Sequence, residues 1–552
     1  MIFSSDAKSW HPTHLLWLLT AWLGTVGNLP LWIAIWRLPE TQGLRGAATL
    51  LAFFVVVLGI LALFLSLVLW PRWLKPLGVL FLIMSAASSY FMLTYGVVID
   101  TSMLINAAQT DVREVRDLLS WSMLASVLLG VVLPGYWWWR QPVRKVRLKS
   151  LMGRQLGLAM AALLLATLVF WLAFQDMASL MRNHKPLRYM INPLNSLYAS
   201  AHLVVGQAAQ ATQPLLPLGE DAQLRHPPAS EKDAPLVILV LGETARAANF
   251  GLSGYARETT PALRQLQTQG QLVYFQDVSS CGTSTQASVP CMFSHLGKAQ
   301  HDRNKLRYES LLDVLHRAGL AVLWIDNQSG CKGVCNRVAQ HETQALKVPA
   351  YCQDGECFDE IMLQELPKQL SLLDPAKRAK GTVVVMHQMG SHGPAYYKRV
   401  PDNFRKFQPE CKSNALQECS REQVVNSFDN TILYTDYFLA QAIQWLKKSE
   451  ATTAPALLYV SDHGESLGEN NVYLHGLPYR VAPDVQKRVP WITWLSPRFE
   501  KQSGLAITCL KNKTDTALTH DNYFHSVLGL MNVSSEVYQE KLDVHADCRS
   551  KL

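Results

Sequence analysis

The sequence predicts a two-part membrane protein, in which five transmembrane α-helices precede a soluble α/β domain with a largely parallel central sheet. The chain has 552 residues, which is too long for one ordinary domain. Its hydrophobic content of 49% averages over an apolar N-terminal part and a C-terminal part of ordinary globular composition. In the C-terminal part, short apolar runs alternate with amphipathic helical stretches, which is typical of parallel sheets with helical connections.

Five apolar stretches predict the membrane-spanning helices. They lie at roughly 14–36, 47–70, 75–99, 118–139 and 155–175, each close to the ~20 residues that a helix needs to cross the hydrocarbon core. Asn28 and Pro30 interrupt the first stretch, but no small-residue cleavage site follows it, so we expect an uncleaved anchor. We therefore expect a membrane domain at 1–175, a bridging segment at 176–212 and a soluble domain at 213–552.

Loop charges predict which side of the membrane each part faces. The link between the second and third stretches holds Arg72 and Lys75, and the loop between the fourth and fifth is rich in Arg and Lys. By the positive-inside rule, both loops are cytoplasmic. Five spans then place the N-terminus in the cytoplasm and the large C-terminal domain outside it. The formal net charge of +8 favours approach to anionic lipid headgroups.

Cysteine distribution supports this topology independently. All ten cysteines lie in the C-terminal part, and disulfides persist only in oxidising compartments. A zinc-knuckle set is the alternative, but the spacings are not the repeated C-x2-C of such sites. Sequence alone leaves the connectivity open, and the spacing favours the pairs Cys281–Cys291, Cys331–Cys335, Cys352–Cys357, Cys411–Cys419 and, by exclusion, Cys509–Cys548.

The predicted strands are LVILVLGET, AVLWIDN, TVVVMH, ALLYVSDHG and ITWLS. Their continuous apolar runs indicate strands covered on both faces. In open α/β sheets, ligands bind at the carboxyl ends of the strands. The polar residues at those ends are therefore the candidates for a functional site.

Carboxylate and imidazole side chains follow several of these strands. They are Glu243 after the first strand, Asp462 and His463 in SDHGE, His387 and His392 in MHQMGSHG, and His475 in YLHGLPY. Oxygen and nitrogen ligands of this kind suit zinc, with manganese as the second choice. A lone Asp-His pair at a strand end is more often a turn or capping feature. The recurrence at several strand ends favours a metal site.

A loop rich in Gly, Ser and Thr follows the first strand, in SSCGTSTQASVPCMFSHLG. A disulfide between Cys281 and Cys291 would make it rigid. We expect a helix to begin after Cys291, which would place Thr283, Ser284 and Thr285 near backbone N–H groups that favour phosphate oxygens. A hydroxyl nucleophile here could be activated by a coordinated metal. The alternative is a plain Ser/Thr-rich turn.

Motifs along the chain allow a family assignment. They are LGETARAANFGLSGYARETTPAL, SSCGTSTQASVPCMFS, DNQSGCKGVCNRV, HQMGSHGPAYY, FDNTILYTDYFL and SDHGESLGENNVYLHGLPY. Together they resemble the phosphoethanolamine transferases that modify lipid A, including those that confer polymyxin resistance. The resemblance spans nearly the whole chain. It implies a sulfatase- and alkaline-phosphatase-like catalytic domain, anchored in the bacterial inner membrane and facing the periplasm.

The resemblance also implies roles for single residues at the metal site. Thr285 matches the nucleophile that becomes phosphoethanolaminylated. Glu243, Thr285, Asp462 and His463 match the ligands of one zinc ion. His392 and His475 match positions that contact a second metal or the transferred phosphate.

Further matched positions lie around the substrate phosphate. Lys332 and His387 match phosphate contacts, and Gln328 stands where relatives often have Asn. Glu258 replaces the more usual Asp of the TTP segment. Both replacements preserve polarity, so they leave the class of enzyme unchanged.

Asn106, Thr110 and Glu114 are spaced i, i+4, i+8 in INAAQTDVREV, on one helical face just outside the third span. The spacing alone favours a solvated face. The resemblance implies instead that these residues hold the ethanolamine headgroup.

The reaction implied by the resemblance moves phosphoethanolamine from phosphatidylethanolamine to a lipid A phosphate through a phosphothreonine, releasing diacylglycerol. This would lower the negative surface charge and confer resistance to polymyxins and cationic peptides. We expect a monomer among membrane lipids, without a nucleic-acid partner. The alternatives are another acceptor, namely an inner-core sugar, a periplasmic glucan or a surface protein, or a phosphodiesterase or sulfatase-type hydrolase. The C-x-P-S-R signature of sulfatases is absent from the sequence.

Overall fold

The computed structural model describes residues 9–109, 116, 118–211, 213–304, 306–353 and 356–550. The chain forms two compact units. The first comprises Met1–Leu104 and Leu119–Val205, and the second comprises Ile105–Leu118 and Gly206–Leu552. The division after Val205 lies close to the predicted start of the soluble domain.

The N-terminal part of the chain is helical. Its helices are α1 (Pro12–Thr25), α2 (Leu29–Trp36), α3 (Gly43–Val68), α4 (Leu74–Tyr95), α5 (Thr101–Gln109), α6 (Trp121–Val127), α7 (Leu133–Arg140), α8 (Leu148–Leu172), α9 (Phe174–Asn183) and α10 (Leu194–Ala211). Among the described residues, five helical segments are long and apolar enough to cross a membrane: Pro12–Trp36, Gly43–Val68, Leu74–Tyr95, Trp121–Arg140 and Leu148–Leu172. The five predicted spans are confirmed.

The first span is broken where polar sequence interrupts it. A short 3-10 turn at Val26–Asn28 separates α1 from α2. Pro30 lies in the first turn of α2, where a backbone N–H would have no hydrogen-bond partner within the helix, so the proline costs no helical hydrogen bond. The Asn28 side chain is fully buried and exchanges hydrogen bonds with the backbone of Asn192 at 2.7 and 2.8 Å. The polar groups at the break are therefore satisfied inside the helical unit.

The second unit is built on a seven-stranded sheet. Its strands are β1 (Pro235–Gly242), β2 (Leu272–Phe275), β3 (Ala321–Asp326), β4 (Ala339–Glu342), β5 (Thr382–His387), β6 (Ala454–Ser461) and β7 (Trp491–Leu495). The spatial order is β2-β7-β6-β1-β5-β3-β4. Strands β6, β1, β5, β3 and β4 run parallel to one another, and β7 is antiparallel to both β6 and β2. The sheet is thus mixed and mostly parallel, as the sequence predicts.

Helices cover both faces of this sheet. They are α11 (Pro261–Thr268), α12 (Thr285–Met292), α13 (Gly297–His301), α14 (Leu311–Arg317), α15 (Glu360–Ser371), α16 (Pro375–Arg378), α17 (Arg421–Ser449), α18 (Pro497–Ser503), α19 (Ile507–Lys511) and α20 (Asp521–Leu530). Along β1, Val237 and Leu239 belong to one hydrophobic core, and Ile238 and Val240 belong to the other. Burial on both faces explains why the strand sequences are continuously apolar.

Short strand pairs and disulfides complete this unit. The pairs are Leu215–Leu216 with Arg307–Tyr308, Gln223–Leu224 with Val533–Ser534, Val278–Ser279 with Leu518–Thr519, Cys352–Gln353 with Glu356–Cys357, and Ser466–Leu467 with Tyr473–Leu474. The ten cysteines form five disulfides, Cys281–Cys291, Cys331–Cys335, Cys352–Cys357, Cys411–Cys419 and Cys509–Cys548. These are the pairs that the sequence spacing favours.

The helix beside the Cys281–Cys291 loop begins earlier than predicted. α12 starts at Thr285, whereas the sequence suggested a start after Cys291, so that prediction is wrong. Ser284 has extended backbone angles and occupies the N-cap position. Pro290 lies close to the end of this short helix, where it removes only one intrahelical hydrogen bond. Thr285 is consequently the first helical residue.

Candidate active site

The carboxyl ends of three neighbouring parallel strands bring four side chains together. β1 leads directly into Glu243, β6 leads into Asp462 and His463, and β5 ends at His387. All four side chains are completely buried. The parallel strand arrangement therefore produces the cluster that the sequence predicts.

Thr285 completes this cluster. Its Oγ1 lies 3.2 and 3.1 Å from the two carboxylate oxygens of Glu243 and 3.5 Å from His463 Nε2. His463 Nε2 lies 3.3 Å from Asp462 Oδ2. One ligand atom from each of Glu243, Asp462 and His463 lies within 4.8 Å of the others. These atoms are close enough to share one cation.

The donor set fits a divalent cation such as zinc. Two carboxylates, an imidazole and a hydroxyl are ligands that zinc accepts. Asp462 Oδ2 and His387 Nε2 are buried without a hydrogen-bond partner in the described part of the chain. Buried carboxylates that the protein does not fully satisfy require a counter-charge. A cation held by Glu243, Thr285, Asp462 and His463 would supply it.

Protonation in the cluster reflects the two adjacent carboxylates. Burial raises the pKa of Glu243, but interactions with His387 and His463 outweigh it and hold this pKa well below its usual range. Burial and the charge of Glu243 raise the pKa of Asp462. Burial lowers the pKa of His463, but Asp462 and Glu243 together raise it to about 9. The site therefore favours a positive charge next to its carboxylates.

Neighbouring groups orient the candidate ligands. The N–H groups of Thr244 and His463 donate to Asp462 Oδ1 at 3.0 and 2.7 Å, which directs Oδ2 toward the cluster. The Thr244 hydroxyl donates to Glu243 at 2.6 Å. The carbonyl oxygen of Gly464 lies 2.9 Å from His463 Nδ1, so that a proton on Nδ1 leaves Nε2 as the ligand nitrogen.

His475 and His392 lie beside this cluster. The His475 ring centroid is 4.3 Å from that of His463 and 5.8 Å from that of His392. The fully buried Glu465 accepts hydrogen bonds from His475 Nδ1 and from the Tyr396 hydroxyl, both at 2.9 Å. Glu465 was missed from the sequence, although its place two residues after His463 was the available signal.

Gln328 and Lys332 lie on the loop after β3. The Gln328 N–H donates to Asp326 Oδ1 at 2.9 Å. The Lys332 ammonium donates to the carbonyl and hydroxyl oxygens of Ser329 at 3.1 and 2.9 Å. The disulfide Cys331–Cys335 brackets Lys332. This loop starts from the same edge of the sheet as the cluster.

The predicted headgroup residues are only partly described. Asn106 lies half-buried on α5. Thr110 and Glu114 lie outside the described residues, so their role stays a prediction.

His520 was missed because it stands in no recognisable motif. Its Nδ1 accepts the N–H of Cys281 at 3.0 Å, and its Nε2 donates to the carbonyl of Ser461 at 3.0 Å. Burial lowers the pKa of His520 to about 3, so the ring is neutral at physiological pH. It ties the loop that carries Thr285 to the end of β6.

Comparisons with known proteins place the chain in a family. The Phosphoethanolamine transferase EptA/EptB family model matches residues 57–208, and the Sulfatase model matches residues 235–533. Phosphoethanolamine transferase EptA of Escherichia coli K12 is 40% identical over 97% of both chains. The chain belongs to the EptA family of phosphoethanolamine transferases. Its membership confirms the resemblance, the fold class and the enzyme class predicted from the sequence.

Other EptA-family proteins match over similar lengths. Phosphatidylethanolamine transferase Mcr-1 of Escherichia coli is 39% identical over 89% of this chain and 90% of its own length. The solved integral membrane lipooligosaccharide phosphoethanolamine transferase A (EptA) from Neisseria meningitidis is 36% identical over 97% of this chain and 98% of that chain, with a TM-score of 0.92. This EptA-family chain is accordingly a multi-pass membrane enzyme that transfers phosphoethanolamine.

Proposed function

We propose that the protein transfers phosphoethanolamine from phosphatidylethanolamine to a phosphate group of lipid A, through a covalent phosphothreonine at Thr285. The observation that carries this proposal is the contact of Thr285 Oγ1 with both Glu243 oxygens, at 3.2 and 3.1 Å, inside a buried cluster suited to a cation. The Neisseria relative is named a lipooligosaccharide phosphoethanolamine transferase, which supports a glycolipid acceptor.

Zinc is the metal that we assign to Glu243, Thr285, Asp462 and His463, with manganese as the second choice. When bound, it lowers the pKa of the coordinated hydroxyl and neutralises charge on the phosphoryl oxygens. A second zinc ion would be held by His392 and His475, whose rings lie 5.8 Å apart.

In the first half-reaction, Thr285 Oγ1 attacks the phosphorus of phosphatidylethanolamine. An O–P bond to Thr285 forms, and the P–O bond to diacylglycerol breaks. The leaving oxygen takes a proton from His392 or His475, while Thr285 passes its own proton to the Glu243 carboxylate, which lies 3.1 Å from Oγ1. Glu465 holds the His475 ring in place for this step through the 2.9 Å contact at Nδ1.

In the second half-reaction, a phosphate oxygen of lipid A attacks the phosphothreonine. Thr285 Oγ1 leaves and takes its proton back from Glu243, while the attacking phosphate gives its proton to the histidine that protonated diacylglycerol. The product carries a diphosphate linkage to ethanolamine. Lys332, His387 and Gln328 would contact the transferred phosphate, because β5 ends at His387 and the loop with Gln328 and Lys332 leaves the same edge of the sheet.

The membrane anchor suits a reaction between two lipids. We place the N-terminus in the cytoplasm and the catalytic unit in the periplasm of a bacterial inner membrane, where both substrates occupy the outer leaflet. The chain would act as a monomer, with Asn106, Thr110 and Glu114 holding the ethanolamine headgroup. The added ammonium group lowers the negative charge of lipid A, which weakens the binding of polymyxins and cationic peptides.

Mass spectrometry of lipid A tests this function. Cells that express the gene should show lipid A heavier by one phosphoethanolamine unit, and cells without it or with Thr285→Ala should not. The exposed Thr268 on α11 supplies a control, because Thr268→Ala should leave the modification intact. Phosphoethanolamine on a core sugar, glucan or protein instead would identify the alternative acceptor. Release of free phosphoethanolamine without any modified acceptor would identify a hydrolase.

A further inference from the structure

We propose that Asp326 is a positioning residue of the transfer reaction, which holds His387 at the metal cluster and the Gln328–Lys332 loop in one fixed arrangement. Asp326 is the last residue of β3 and is 5% exposed. This inference rests on the proposed function. It adds a residue that supports the site through others and does not itself bind substrate.

The two carboxylate oxygens of Asp326 have different partners. Oδ2 accepts a hydrogen bond from Trp324 Nε1 at 2.7 Å and lies 3.1 Å from His387 Nδ1. Oδ1 accepts the N–H groups of Gln328 at 2.9 Å and Gly330 at 3.1 Å. One oxygen therefore serves the histidine ring, and the other serves the loop.

The Oδ2 contact fixes the orientation of His387. With Nδ1 directed at Asp326, Nε2 faces the metal cluster and lies 3.7 Å from Glu243 Oε2. The ring is fully buried and packs edge-on against Trp324, with centroids 5.5 Å apart. A carboxylate on one nitrogen of a histidine sets both the tautomer and the direction of the other nitrogen. Asp326 thus presents Nε2 of His387 to the reacting phosphate.

The Oδ1 contacts fix the start of the loop that carries Lys332. Gly330 and Lys332 have positive φ angles of 85° and 50°, so the loop follows a tightly turned path. The Cys331–Cys335 disulfide closes its far end. Because one carboxylate bonds both the loop and the histidine, complete loss of the Asp326 side chain would displace Lys332 and His387 together.

Stability alone does not account for these contacts. The backbones of Asp326 and His387 are already paired in the parallel ladder between β3 and β5. Asp543 offers a contrast, because this buried carboxylate accepts hydrogen bonds from the Tyr538 hydroxyl at 2.8 Å and from the His545 N–H at 2.9 Å, all within the C-terminal segment. Asp543 is therefore the matched control for loss of a buried carboxylate away from the site.

Asp326→Asn is the informative variant. The amide oxygen keeps both loop contacts, but its NH2 group then faces Trp324 Nε1 and His387 Nδ1. His387 must shift its proton to Nε2 or turn away. Diacylglycerol release from a fluorescent phosphatidylethanolamine, measured with the full-length protein in detergent, should show kcat lowered about 10–100-fold, with KM changed far less. Asp543→Asn should lower Tm and leave kcat near the wild-type value.

A double-mutant cycle tests whether Asp326 acts through His387. In a His387→Ala background, Asp326→Asn should lower kcat by no more than about 3-fold, because the group that it positions is gone. Fully additive effects would overturn the proposal, as would an Asp326→Asn protein with unchanged kcat. If Asp326→Asn does not fold, Trp324→Phe removes one donor to Oδ2 and keeps both loop contacts. A folded Trp324→Phe protein should then show lowered kcat at constant KM, and unchanged kcat would overturn the proposal.

The donor assay separates this inference from the proposed function. Wild-type protein that releases diacylglycerol but leaves lipid A unmodified contradicts the proposed acceptor and does not affect the Asp326 comparison. Active wild-type protein with an equally active Asp326→Asn variant contradicts the role of Asp326 alone.

Discussion

Two buried carboxylates of the catalytic unit, Asp313 and Asp462, differ in how the protein satisfies them. Asp313 receives hydrogen bonds on both oxygens, from Arg337 and from Ser310. Asp462 receives two N–H groups on Oδ1, and its Oδ2 has no hydrogen-bond partner in the described structure. A buried oxygen that the fold leaves without a donor costs free energy. The difference separates a carboxylate that supports the fold from one held ready for a cation.

The largest effect expected from this contrast is at the nucleophile. Thr285→Ala removes the hydroxyl beside Glu243 and should lower diacylglycerol release at least about 1,000-fold. Tm should stay close to that of wild type and of the Thr268→Ala control. Substantial activity in the Thr285→Ala protein would exclude Thr285 as the nucleophile.

Metal removal tests the contrast between Asp462 and Asp313. Exhaustive chelation should stop phosphoethanolamine transfer and lower Tm, and added zinc should restore both, because a ligand of the folded state stabilises it. Asp462→Asn should reduce the zinc content measured by elemental mass spectrometry, whereas Asp313→Asn should lower Tm with normal zinc content. Activity at full rate after chelation would show that Glu243, Asp462 and His463 are not metal ligands.

Disulfide removal separates activity from stability in a similar way. Replacing Cys281 and Cys291 by Ala opens a loop closed over 10 residues and should cost roughly 2–3 kcal/mol, with a loss of activity because Thr285 is less well placed. Replacing Cys509 and Cys548 opens a span of 39 residues, which should cost about 4 kcal/mol with kcat retained.

The same disulfides allow a check in native protein. Protein made without periplasmic oxidation should be unstable and poorly active, with thiols that react with alkylating reagents. Native protein whose ten cysteines mostly alkylate before reduction would contradict the pairing.

The smallest effect concerns pH, where two structural carboxylates should behave oppositely. Burial raises the pKa of Asp436 to about 7. The contribution of Asp436 to the free energy of unfolding is therefore fully present below its unfolded-state pKa of about 3.9 and is lost as pH rises through 7. Burial also acts on Asp313, but Arg337 outweighs it and lowers the pKa. The contribution of Asp313 to the free energy of unfolding is therefore fully present above its unfolded-state pKa of about 3.9, and it is lost as pH falls through the pKa of the folded state.

Thermal unfolding of variants measures these contributions. Between pH 5 and about 8, the Tm of wild type should fall relative to that of Asp436→Asn. The Tm difference between wild type and Asp313→Asn should stay nearly constant over the same range. Parallel curves for wild type and Asp436→Asn would contradict the raised pKa of Asp436.

The sequence predicts the parts of the molecule whose patterns are local. Continuous apolar runs identify β1, β3, β5, β6 and β7, because strands buried on both faces have no polar positions. β4 was missed because it lies at the sheet edge, and its sequence AQHE is polar and mostly exposed. β2 has only four residues, too few for a pattern to stand out.

The residues of the candidate site also divide into those with a local sequence signal and those without one. Glu243, Asp462 and His463 are predictable because each directly follows a strand whose neighbours are parallel. Asp326 also ends a strand, but its role depends on His387, which is 61 residues away in the chain. His520 bonds Cys281 across a separation of 239 residues. Such contacts come from tertiary packing, which leaves no local signal in the sequence.

The break in the first span has a consequence for assembly of the membrane part. Asn28 lies in the first span, and its hydrogen-bond partner Asn192 follows the last one, 164 residues later. Asn28 Nδ2 also donates to the Leu23 carbonyl within the first span, but Oδ1 accepts the Asn192 N–H, and this contact can form only after all five spans have been made. The first span therefore reaches its final packing only when the segment around Asn192 is in place, so the two ends of the membrane part pack together late in assembly.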